Sequence, residues 1–245
     1  MRRPETTAVF AFLLMMLVIS CNSENAGKSK SNNKQASQSR SPMPISGPVN
    51  YVALGDSTGV GVGARNGGYV ARIFKNIAGA RPNSKLTNLC MSGATAEDVL
   101  RGQLSRGIAA DPNLVTLGIG INDIGHGMGV EEFARNFEEI VSQLRQRTQA
   151  VIVVTNIPDI SSAPRIPEFV RPQYRQTMTA FNQRLEAIAA RYEVTVFDVY
   201  TITRDQLPAH PEFFSSDGFH PSDAGYKLWA SEMWPVIARS IGLAE

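Results

Sequence analysis

From Val49 onward, short apolar, β-branched runs alternate five times with segments of helical periodicity. Val49–Leu54, Lys85–Cys90, Leu114–Ile119, Ala150–Thr155 and Glu193–Val199 read as strands. The fourth, Ala-Val-Ile-Val-Val-Thr, is apolar at nearly every position, as expected of a strand covered on both faces. Gly68–Ala80 places Val70, Ile73, Phe74 and Ile77 at helical spacing. Thr95 offers an N-cap with Asp98 three residues on, opening a helix towards Ile108. Phe133, Phe137, Ile140, Val141 and Leu144 share one face of the next helix. A helix from near Pro172 turns Met178, Phe181, Leu185 and Ile188 inward, and Ser222–Ile241 forms the last. No hairpin signal interrupts the series, so it implies a doubly wound parallel sheet in a single domain.

In such sheets ligands bind beyond the carboxyl ends of the strands. The first run, Val-Ala-Leu-Gly-Asp-Ser-Thr-Gly (52–59), stops at Ser57 and passes into glycine. Gly93 follows the second run and Asn122 the third, while Asp217 and His220 lie between the fifth run and the last helix. All five fall on one edge of the sheet. A serine is a weak nucleophile unless a base and a group orienting that base stand beside it, and Asp217 and His220 offer that pair.

The first 48 residues differ in kind. Arg2 and Arg3 precede an uncharged, mostly apolar stretch, Ala8–Ser20, as in a secretory signal and too short for a secure membrane span. Leu17-Val-Ile-Ser20-Cys21 resembles the lipobox of bacterial lipoproteins, which implies a signal peptide over 1–20 and lipidation of Cys21. The competing reading is an uncleaved anchor helix with an incidental cysteine. Residues 21–48, rich in Ser, Asn, Gln and Lys, read as a flexible tether that cannot bury enough apolar surface to order itself. The whole chain is basic, with a pI near 8.6. Residues 49–245 nevertheless carry 18 Lys/Arg against 20 Asp/Glu, so the excess positive charge belongs to the signal and tether. That removes the main support for nucleic-acid binding. With Cys21 lipidated, Cys90 has no disulfide partner and reads as a small buried apolar residue. A 197-residue domain can bury an adequate core without such a bond.

Three other motif readings fail. Gly55-Asp-Ser57-Thr-Gly59 fits the nucleophile elbow G-x-S-x-G, but that elbow normally sits mid-chain with its acid and histidine far apart. Gly59-Val-Gly61-Val-Gly63-Ala64 matches a dinucleotide loop, yet no Asp or Glu ends the second strand; a mobile glycine loop beside the site is expected instead. The histidines are His126, His210 and His220, and no H-E-x-x-H occurs, so no metal site is expected.

Four blocks in order, Gly55-Asp56-Ser57, Ser92-Gly93, Gly120-Ile-Asn122-Asp123 and Asp217-Gly-Phe-His220, resemble those of the SGNH (GDSL-type) hydrolases, across essentially all of 49–245. The resemblance implies a three-layer α/β/α, flavodoxin-like fold with a five-stranded parallel sheet and hydrolysis of acyl esters without a cofactor. It implies Ser57 as nucleophile, His220 as general base and then acid, and Asp217 as the residue that orients the imidazole. The oxyanion hole is then the backbone N–H groups of Ser57 and Gly93 with the Asn122 side-chain amide. Asp56 is expected to tie down the serine loop, Asp123 to support the site from behind, and His126 either to line the pocket or to stand in solvent; His210 is expected at the surface. The expected substrate is an acyl ester, such as a lysophospholipid or a short-chain ester, and the expected protein a monomer held at the cell envelope by its lipid. A carbohydrate O-acetylesterase, an acyltransferase, and a non-catalytic glycan- or lipid-binding protein remain alternatives. Selectivity rests on the loops 62–68, 124–129 and 157–171; in the last, Ile160, Ile166, Phe169 and Val170 either wall an acyl chain or pack onto the domain.

Overall fold

A computed structural model describes residues 45–243. The expected signal peptide, Cys21 and the tether up to residue 44 lie outside the described residues. The strand β1 (Asn50–Gly55) runs into a one-turn helix α1 (Ser57–Val60), then α2 (Tyr69–Ala80) and β2 (Lys85–Asn88). A continuous helical segment follows: α3 (Ala96–Asp98), one π-helical turn (Val99–Gln103) and α4 (Leu104–Ala109). Next come β3 (Leu114–Gly118), the short α5 (Ile121–Gly125), α6 (Val130–Arg147), β4 (Val151–Thr155) and α7 (Arg171–Arg191). The chain ends with β5 (Thr195–Phe197), α8 (Val199–Gln206), two 3₁₀ turns (Leu207–Ala209 and Pro211–Phe213) and α9 (Asp223–Ser240).

The five strands form one parallel sheet in the order β2-β1-β3-β4-β5. Alternate residues of each strand face opposite cores. Val52 and Leu54, Val115 and Leu117, and Ile152 and Val154 face a core completed by α3–α4, α6 and α7. Tyr51, Ala53, Leu114 and Val153 face a second core, completed by α2 and α9. The result is three layers, α/β/α, as the alternation of segments requires. On the first face Phe133, Phe137 and Phe181 pack ring on ring and are buried, each contributing about 1.5–3 kcal/mol of apolar burial. Ile45, within the stretch expected to be tether, is already buried against the α2/α9 core, and Arg81 donates to its carbonyl at 3.2 Å.

Three elements differ from their sequence expectation. The second strand stops at Asn88, because the Asn88 side chain turns back to accept the Cys90 N–H. The run 193–199 pairs with β4 only over Thr195–Phe197; Asp198 then caps α8, its carboxylate accepting the Thr201 N–H at 3.0 Å. The glycine loop 59–64, expected to be mobile, is tied to the last helix, with the Tyr226 hydroxyl donating to the Val62 carbonyl at 3.0 Å. Just beyond it, Asp223 in the first turn of α9 accepts from the Arg65 and Asn66 N–H groups and from the Arg72 guanidinium.

The strand order places the topological switch between β1 and β3: the chain leaves β1 for one side, then returns to build the other. Gly55 and Gly118 end these two strands side by side. Gly55 has φ +145°, and a Cβ there would meet the Gly118 carbonyl oxygen at 2.2 Å, so the crevice edge admits only glycine at this point.

Candidate active site

Asp56 is the N-cap of α1, with its carboxylate accepting both the Thr58 N–H (2.9 Å) and the Thr58 hydroxyl (2.8 Å). This fixes Ser57 as the first residue of a helix, where backbone N–H groups have no intrahelical carbonyl. Asp56 is 3% exposed; burial pushes its carboxyl pKa up, against the pull of the Thr58 bonds and of nearby His220.

Gln103, which the sequence reading did not select, holds the preceding residue. Its Oε1 accepts the Gly55 N–H at 2.8 Å and its Nε2 donates to the Gly55 carbonyl at 2.8 Å, with no exposure to solvent. The π-helical turn carries Gln103 at its last position. A readable signal existed: Gln103 is a polar residue among Val99, Leu104 and Gly107 on the inward side of its helix.

His220 precedes the N-cap of α9 and is pinned by the isolated bridge between Phe214 and Pro221, with the Ser215 N–H donating to its carbonyl at 2.8 Å. Its Nε2 stands 3.0 Å from Ser57 Oγ and its Nδ1 2.6 Å from Asp217 Oδ2. The other Asp217 oxygen accepts from the Ser215 hydroxyl and from the Phe219 and His220 N–H groups, all at 2.8–2.9 Å. Partial burial would raise the Asp217 pKa, but these donors, the His220 ring first, hold it well below the usual carboxylate range. An ionised Asp217 requires the proton on Nδ1, leaving the Nε2 lone pair free for the serine hydroxyl.

Gly93 and Asn122 line the same cleft as Ser57 and His220. Gly93 has φ +80°, and a Cβ there would meet nothing within 4 Å. Glycine at this position therefore serves the left-handed backbone, and no neighbouring protein atom requires the missing Cβ. The Asn122 amide donates one N–H to the Ala94 carbonyl at 2.9 Å, which holds the side chain in place and leaves its second N–H unused. Both oxygens of buried Asp123 accept the Ala96 N–H at 3.1 Å, tying the Asn122 turn to α3. Burial raises the Asp123 pKa to about 6, partly offset by that bond. His126 lines the cleft; His210 pairs with Glu212 outside it. Cys90 packs against Gly59 at the edge of the α2/α9 core, and burial pushes its thiol pKa up.

Two spaces flank Ser57 and His220. One is an open cleft of about 510 Å³ that includes Val62, Gly125, Ile166 and Tyr174. The other is a narrow, almost wholly apolar cavity of about 50 Å³ walled by Ile160, Leu207, Phe213, Phe214 and Trp229. Of the apolar residues expected from loop 157–171, Ile160 and Ile166 reach these spaces, whereas Phe169 is 86% exposed. Val199, Ile202, Thr203, Leu207 and Phe213 in the cavity wall come from α8 and the 3₁₀ turns, elements the sequence reading did not foresee.

Residues 53–228 match the model of the GDSL-like Lipase/Acylhydrolase family. Solved structures with the same fold include the acetylxylan esterase Axe2 of Geobacillus stearothermophilus (TM-score 0.63, 21% identity, covering 82% of this chain and 98% of that one). A lipase/acylhydrolase from Enterococcus faecalis also superimposes (0.63, 21%, 80% and 99%). A candidate GDSL-like lipase from Parabacteroides merdae does so at 0.68, with 18% identity and 83% and 100% coverage. No curated protein matches the chain.

Proposed function

Because the chain belongs to the GDSL-like lipase/acylhydrolase family and is therefore an ester hydrolase, we propose that it cleaves carboxylic esters through Ser57, His220 and Asp217. The observation that carries this reading is the continuous path from Ser57 Oγ through the His220 ring to Asp217, with steps of 3.0 and 2.6 Å. His220 Nε2 takes the Ser57 proton as Oγ attacks the ester carbonyl. The resulting oxyanion is met by the N–H groups of Ser57 and Gly93 and by the free Asn122 N–H. Collapse expels the alcohol, protonated by His220. Water, deprotonated by the same nitrogen, then releases the acid and restores Ser57.

The narrow cavity supports a short acyl group. About 50 Å³ is a third of the roughly 150 Å³ that holds a benzene ring, so a long chain enters only by displacing side chains. The wider cleft is left for the alcohol portion. Short-chain esters thus fit better than long-chain lysophospholipids, and a carbohydrate O-acetyl ester is the second reading, favoured by the same disparity in size. An alcohol in place of water would make the same residues an acyltransferase.

With p-nitrophenyl esters from acetate to decanoate, kcat/KM is expected to fall steeply beyond four carbons, and Ser57→Ala to abolish turnover with folding retained. Full activity in Ser57→Ala overturns the assignment, and a decanoate optimum overturns the short-acyl reading.

Lipid attachment at Cys21, envelope localisation and a monomeric state are proposed on the sequence alone, from Leu17–Ser20 before Cys21 and the polar tether after it. Cys21→Ala should shift the protein from the membrane fraction to the soluble one on cell fractionation; unchanged partitioning counts against the anchor.

A further inference from the structure

The residues that line the cleft beside Ser57 carry one sign of permanent charge, although ionised Asp217 stands directly behind His220. No Asp or Glu lines the cleft, and Arg165 is the permanently charged residue among those that do. The other ionisable side chains in the lining are His126, His220 and Tyr174, none of which supplies a negative charge near neutral pH.

Arg165 is one of the described arginines that carry no ion pair, as are Arg65, Arg106, Arg135 and Arg171, and of these it is the one that lines the cleft. Arg72, Arg101, Arg175 and Arg204 each pair with a carboxylate at 2.6–2.8 Å. The Arg165 guanidinium has no ion pair or hydrogen bond among the described residues. Its backbone, by contrast, is fixed: the Arg165 N–H donates at 3.0 Å to the Gly218 carbonyl, inside the turn that carries Asp217 and His220. A turn closed by Ile166 N–H to the Ala163 carbonyl at 2.9 Å holds the same stretch. The charge is thus tethered to the catalytic turn and free to meet a ligand. A planar guanidinium offers paired donors that match an oxyanion such as a carboxylate or phosphate, and a cleft lined by one sign of charge concentrates ligands of the other.

We propose that Arg165 is a specificity-determining residue that selects esters whose alcohol portion carries an anionic oxygen group, either carboxylate or phosphate. The assignment to the alcohol portion rests on the reading above, in which the narrow apolar cavity takes the acyl group.

The test uses the full chain in a neutral detergent and four acetates that differ in the charge on the phenol. They are 3-acetoxybenzoate, 3-acetoxyphenyl phosphate, uncharged 3-acetoxybenzamide and the 3-acetoxyphenyltrimethylammonium cation. The kcat/KM ratio of anionic to neutral acetate is expected to be about fivefold, the upper range for a partly solvated ion pair, and to lie mainly in KM. It should approach one in 1 M salt, where charges are screened over about 3 Å. Arg165→Gln should bring the ratio to about one, Arg165→Glu should invert it in favour of the cation, and Arg165→Lys should keep its sign. The anion with the larger factor identifies whether carboxylate or phosphate is recognised.

Equal turnover of all four acetates by the unaltered protein overturns the proposal. So does a preference that survives in Arg165→Gln. Retained turnover in Ser57→Ala is a separate result, which strikes the nucleophile and leaves the charge preference to be judged on its own ratio.

Discussion

Replacing Gln103 with leucine removes both hydrogen bonds to Gly55 while keeping a side chain of similar size. The two losses are unequal. The Gly55 carbonyl still accepts the Met91 N–H at 3.0 Å, so it forfeits one of two partners, at about 0.5–1.5 kcal/mol. The Gly55 N–H loses its partner outright in a region closed to water, at about 1–3 kcal/mol. Together the change is expected to destabilise the fold by about 1.5–4.5 kcal/mol, read by urea denaturation or as a melting-point drop of roughly 3–18 °C. Since Gly55 directly precedes Asp56 and Ser57, kcat should fall more than KM rises. Gln103→Glu sharpens the test. A carboxylate can accept the Gly55 N–H but must be protonated to donate to the carbonyl, so its folded pKa is raised above the unfolded value. Its stabilising contribution is then present at low pH and lost as pH rises through the folded pKa. A loss below about 0.5 kcal/mol in Gln103→Leu, or a pH-independent Gln103→Glu, would refute the role given to this side chain.

Two further outcomes are expected. Asn122→Ala should lower kcat by about 10²–10³ with little change in KM, because it removes a donor aimed at the oxyanion; a loss confined to KM contradicts that placement. Asp123, with its folded pKa raised to about 6, favours the folded state when protonated, so its contribution is full below the unfolded pKa and is lost as pH rises through about 6. Asp123→Asn keeps an acceptor for the Ala96 N–H and should flatten stability between pH 4 and about 6; an unchanged pH profile of the melting temperature counts against the raised pKa.

The sheet was legible because parallel strands buried on both faces must be apolar at almost every position, as Val151–Thr155 is. The residues of the candidate site were legible because parallel strands deliver their carboxyl ends to one edge, which brings Ser57, Gly93 and Asn122 together. What escaped depends on contacts distant in sequence. Val194, Val196 and Val199 have a strand's composition, yet β4 offers partners only as far as Phe197, and the Asp198 cap then wins for a helix. The glycines of 59–64 suggested mobility, but the charge that anchors Arg65 and Asn66 just after them sits at Asp223, more than 150 residues away. The Thr95–Asp98 capping box was readable because both of its bonds are local; the π-helical turn beyond it answers to Gly55, on the far side of the layer.

The central claim is that Ser57 is the nucleophile that His220 activates. Reaction of the protein with a p-nitrophenyl alkylphosphonate, followed by mass spectrometry of the peptide spanning Tyr51–Arg65, tests it most directly. One phosphonyl group should form on Ser57 with stoichiometric release of p-nitrophenol, and His220→Ala should slow the labelling by orders of magnitude. Stable labelling at another residue, or unchanged labelling rates in His220→Ala, would contradict the account.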